Sequence, residues 1–77
     1  MDIKVIGFRN IKFKAQDGNM IEGTQYFGTF PESHTTGFMT DKFFITPQKL
    51  HGQDIKVGDT VRVFYNRYGK IDAFEKV

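Results

Sequence analysis

The chain has 77 residues, eleven Lys or Arg against nine Asp or Glu, and no cysteine. That length allows one small domain without a second core, and the missing thiols exclude disulfides and thiolate metal sites. Stability then has to come from close packing, a closed sheet or a partner subunit, so a homodimer stays among the options.

A first strand runs from Asp2 to Ala15, with Gly7 placed where a bulge or bend would split it. Beyond Gly7, Ile11, Phe13 and Ala15 alternate with Lys12 and Lys14, the in-out pattern of a half-buried strand. Asp17-Gly18-Asn19 is a hairpin signal, and a second strand follows from Met20 until Pro31 stops it. A polar loop, residues 32–37, leads to a third strand from Phe38 to Thr46. Thr46-Pro47 opens one helical turn, with Thr as cap and Pro at the first helical position, and Gly52 closes it. Val57-Gly58-Asp59 is a turn. Residues 60–66 alternate as a fourth strand, with Val61, Val63 and Tyr65 on one face and Arg62 and Phe64 on the other. Asn66 to Gly69 turns the chain into a fifth strand. The expected fold is an all-β, five-stranded antiparallel barrel, one domain over residues 1–77, since closure removes the exposed edges of so small a sheet.

The charges are unevenly distributed. Lys4, Arg9, Lys12 and Lys14 face only Asp2 within the first strand, residues 15–41 hold acids alone, and Arg62, Arg67 and Lys70 have no acid among them. Nine Phe and three Tyr exceed what a small core needs, although most Phe are expected inside. Adjacent strand residues point to opposite faces. One ring of each pair Tyr26-Phe27, Phe43-Phe44 and Phe64-Tyr65 is therefore expected to face outward. Tyr68 lies in a turn beside Arg67.

The element order, with three curved strands, a Pro47–Gly52 connection and a closing hairpin from Val57-Gly58-Asp59 to Lys76, resembles the OB-fold proteins. Within them it is most similar to the small single-stranded DNA-binding proteins of phages and mobile elements. The expected function is binding of single-stranded nucleic acid in the cytoplasm, DNA ahead of RNA, with low sequence specificity, and the resemblance implies a role in replication. Base stacking and phosphate attraction would supply the binding. The expected contacts are Lys12, Lys14, Tyr26, Lys42, Phe44, Arg62, Phe64, Arg67, Tyr68 and Lys70. The filamentous-phage examples dimerise through an extended hairpin that this shorter chain lacks.

Neither His34 nor His51 has a second ligand at metal spacing, and Ser33 has no oriented base. No catalytic residue, metal or cofactor is expected. With no run of eighteen apolar residues and no basic-then-apolar start, no membrane partner is expected either. The alternative function is a small β-barrel interaction or assembly module whose outward rings form a protein interface.

Overall fold

The computed structural model describes residues 1–77. It holds strands β1 (Asp2–Lys14), β2 (Met20–Pro31) and β3 (Phe38–Ile45), the helical turn α1 (Pro47–Leu50), and strands β4 (Thr60–Tyr65) and β5 (Ile71–Lys76). All strands pair antiparallel in one sheet of order β3-β2-β1-β4-β5. No helix is long and apolar enough to cross a membrane.

The turns form where small and polar side chains relieve the backbone. Asp17 Oδ1 accepts the Asn19 amide at 3.0 Å, and Gly18 takes φ +88°, where a Cβ would be strained. At α1 the Thr46 side chain makes no capping bond. Its carbonyl accepts the Lys49 amide at 3.0 Å instead, which is enough for a four-residue turn. His51, at φ +51°, enters the left-handed region before Gly52 does.

In β1 the pairing with β2 shifts between Val5 and Gly7, so Ile6 is an extra residue. Val5 holds the turn before β4: its amide donates to the Asp59 carbonyl at 2.9 Å, and its carbonyl accepts the Gly58 amide at 2.8 Å. β1 thereby joins both halves of the sheet. The core gathers one face of every strand: Ile3, Val5, Tyr26, Phe43, Ile45, Val61, Val63 and Phe74, together with Ile55 from the connection. Phe74 sits among them, its ring 5.1 Å from Tyr26 and 6.2 Å from Phe43. Gly28 admits the Ile3 side chain, whose Cδ1 lies 2.6 Å from where a Cβ would be.

Phe43 and Phe74 belong to the two end strands, so the sheet curls until its ends share a core. It does not close, because β3 and β5 form no ladder. The reason lies at the β5 edge, which side chains from the α1 connection already occupy. Lys49 Nζ donates to the Ile71 carbonyl at 2.7 Å. Gln53 Nε2 donates to the Phe74 carbonyl at 2.9 Å, and Gln53 Oε1 accepts the Lys76 amide at 2.7 Å. One side-chain amide thus takes the place of a neighbouring strand. Replacing it strands two backbone groups, so Gln53→Ala is expected to cost about 1–3 kcal/mol, read as a lower urea midpoint with an unchanged slope.

Candidate functional site

The extra residue in β1 sets which side chains reach the surface. Before it, Ile3 and Val5 point inward. After it the parity reverses. Phe8, opposite Tyr26, packs its ring 5.6 Å from that core residue. Asn10, Lys12 and Lys14 follow on the same side by strand alternation. Arg9, Ile11 and Phe13 therefore occupy the outer face, with Gln25, Gly23 and Ile21 opposite them.

The ladders arrange this outer face in rows across β1, β2 and β3. Arg9, Gln25 and Phe44 form one row; Gly7, Phe27 and Lys42 form the next; Lys4, Thr29 and Thr40 form the third. Arg9 Nε donates to Gln25 Oε1 at 3.0 Å, which holds its guanidinium carbon 5.9 Å from the Phe27 ring centroid. Phe13 and Phe44 pair at 5.8 Å. Their neighbours leave space for them: a Cβ on Gly23 would lie 2.6 Å from Phe44 Cζ. Beside Phe27 opens a cleft of about 480 Å³ lined by Ile6, Thr40, Asp41 and Lys42. Rings and cations thus alternate on a surface with few acids, which suits an anionic chain carrying flat bases.

Of the residues expected at the site, Lys42 and Phe44 lie in this strip. Tyr26 does not: it is 3% exposed, opposite Phe43 in the core, and burial pushes its phenol above the usual 10.0. Its neighbour Phe27 is the outward ring of that pair. Lys12 and Lys14 are exposed but stand on the opposite side of the β1–β2 hairpin, across from Glu22 and Met20. The parity reversal at Ile6 put them there. Arg9 and Phe13 were missed for the same reason. Gly7 signalled a bulge, and counting strand parity again from that point would have found both.

Arg62 is outward but already paired. Its Nε and Nη2 donate to the two oxygens of Asp2 at 2.8 and 3.1 Å. The hydrogen bond from Arg62 holds the Asp2 carboxyl below its ordinary 3.8, and Asp2 raises Arg62 in turn. Phe64 and Tyr65 are both exposed, since the register shifts between them. Desolvation, with the charge of Asp41, raises the Tyr65 phenol. At the tip, Asn66 Oδ1 accepts the amides of Tyr68 and Lys70 at 2.9 and 3.1 Å. That turn leaves Tyr68 72% exposed, with the Arg67 guanidinium carbon 5.1 Å from its ring. Arg67 therefore packs on Tyr68 and makes no pair with Asp72.

A depressed carboxyl stabilises the fold above its unfolded pKa, and that contribution is lost as pH falls through the lower folded value. The Asp2–Arg62 pair should therefore weaken only below about 3.8. Asp2→Asn is expected to flatten the acid limb of the stability curve, measured by thermal melts from neutral pH downward. Comparison with protein-family models, with curated proteins and with solved structures gives no match to this chain.

Proposed function

We propose that this protein binds single-stranded nucleic acid, DNA ahead of RNA, on the outer face of β1–β3, without chemistry and with little sequence preference. The observation that carries the reading is the middle of that face. The Phe27 ring lies beside the Arg9 guanidinium and opposite Lys42 on the next strand, so one ring is flanked by two cations. Phe44 and Phe13 add further stacking surface, and Lys4 adds charge. The Arg67-Tyr68-Lys70 tip, with Tyr68 exposed beside the Arg67 guanidinium, is a second contact. The curled five-stranded sheet is read as an OB-type barrel whose open seam is spanned by the α1 connection. Organising a strand exposed during replication is the role that fits this reading.

Stacking on an aromatic side chain contributes about 1–3 kcal/mol per base whatever the sequence. Neutralising about four phosphates gives a log–log salt slope near −3 on a single strand. One observation favours a protein interface instead: Phe38, 68% exposed, shares the parity of Lys42 and Phe44 and extends the apolar part of this surface to the rim of the sheet. Salt separates the two readings, because docking of apolar rings on a protein does not weaken steeply with ionic strength.

Fluorescence anisotropy of a labelled oligo-dT, titrated at about 50 and 200 mM salt, should give saturable binding that weakens strongly at the higher salt. Phe44→Ala and Arg9→Ala should each reduce affinity by roughly five- to a hundredfold, while Tyr26→Phe should leave it unchanged. A folded protein that fails to bind at the lower salt, or binds equally at both, would sink the nucleic-acid reading.

A further inference from the structure

The two ends of the sheet are treated differently. Along β5 the free backbone groups of Ile71, Phe74 and Lys76 are taken by Lys49 and Gln53. Along β3 the side-chain contact is local: Asp41 Oδ1 accepts the amide of the next residue, Lys42, at 2.8 Å. The rest of that edge is open over an eight-residue strand and carries exposed Phe38 and Met39. An unpaired strand of this kind is a template for another strand.

We propose that β3 pairs antiparallel with β3 of a second copy of this chain, about a two-fold axis through Thr40. The register follows from alternation and charge. The Lys42 amide bonds Asp41 and so points away from β2. The backbone groups of Thr40 and Phe38, two and four positions back, then point the same way. A two-fold axis perpendicular to the sheet keeps each face on its own side, so residues facing one another across the axis share parity. Centring on Lys42 sets Lys42 against its own copy, and centring on Asp41 does the same to the carboxylates. Both place like charges directly opposite, which is unfavourable. Centring on Met39 leaves Lys42 facing residue 36, outside the strand.

Centring on Thr40 has none of these faults. Thr40 faces Thr40, and Met39 faces Asp41. Phe38 faces Lys42 twice, a ring against a cation on the outer surface. The edge is in this sense its own complement, which is the reason for choosing a second copy over an unrelated peptide. Pairing also requires the Lys42 amide to leave the Asp41 carboxylate for the Phe38 carbonyl of the second copy. Asp41 therefore weakens the association and makes it concentration-dependent. The outer strips of the two copies would then run on across one continuous sheet. The pairing stands apart from the nucleic-acid reading, and its test contains no nucleic acid.

Because the chain has no cysteine, Thr40→Cys introduces a single thiol. Directly opposed hydrogen-bonded residues have Cα atoms about 5.5 Å apart, within the usual disulfide range of about 4.4–6.8 Å. Oxidised Thr40→Cys should run as a covalent dimer on a non-reducing gel. Lys42→Cys, whose two copies lie about 14 Å apart in this register, should not. In sedimentation equilibrium the wild-type mass should rise with concentration from 8.9 kDa toward twice that value. Asp41→Ala should shift this rise to several-fold lower concentration. Thr40→Pro, whose lost amide faces solvent on an edge strand, should stay monomeric; if it does not fold, the two cysteine variants decide alone. A wild-type chain that remains monomeric up to about 1 mM overturns the pairing. So does a Thr40→Pro chain that associates like wild type. Cross-linking of Lys42→Cys as readily as Thr40→Cys overturns the register.

Discussion

One extra residue in β1 governs the character of the surface. With Ile6 outside the ladder, the strand enters the core on odd-numbered residues and leaves it on even-numbered ones. A regular β1 would have placed Phe13 and Ile11 on the core side of the sheet and Lys12 and Lys14 on the outer side. The bulge exchanges them. Arg9 and Phe13 come to lie beside Phe27 and Phe44, and the two lysines move to a separate face. A bulge also increases local twist, in keeping with a sheet whose end strands bring Phe43 and Phe74 within 6.2 Å.

The aromatic surplus divides between two tasks. Through Tyr26 and Phe43, Phe74 joins β5 to β2 and β3, strands with which it forms no ladder, so these rings hold the curl that the ladders alone would leave open. Phe13, Phe27 and Phe44 lie on the other side of the same strands. They are partly covered by one another, by Arg9 and by the spaces that glycine leaves. A half-covered ring held by its neighbours loses less side-chain freedom when a flat ligand settles on it than a more exposed ring does. The outer strip is in this sense prepared, whereas the Tyr68 tip is held only through Asn66 and Arg67.

The edges complete the physical picture. The α1 connection is too short to be a packing helix, but it brings Lys49 and Gln53 to the backbone of β5. That satisfies one end of the sheet and prevents its closure onto the other. β3 is left with a single carboxylate on one amide. A small domain without disulfides has little stability to spare, and an unsatisfied edge is its most reactive backbone.

The sequence by itself determined the strands, the turns and their order. Those depend on local properties: alternation over six to eight residues, glycine or Asx chemistry at the reversals, and proline at the ends of β2 and β3. It also determined that one ring of each adjacent aromatic pair had to face away from the core, because neighbours along a strand point to opposite sides. Which ring did so, or whether both did as at Phe64 and Tyr65, was decided by tertiary structure. Tyr26 and Phe27 are both large and aromatic, and nothing local to them distinguishes inside from outside. Only the ladder to Phe43 and the contact with Phe74 settle it. The fate of the charges was likewise non-local. Arg62 lies sixty residues from Asp2 in the chain, and Lys12 changed faces through a single inserted residue six positions earlier. Whether the sheet closed also lay beyond the sequence pattern, since it depended on where one glutamine side chain, Gln53, found its hydrogen bonds.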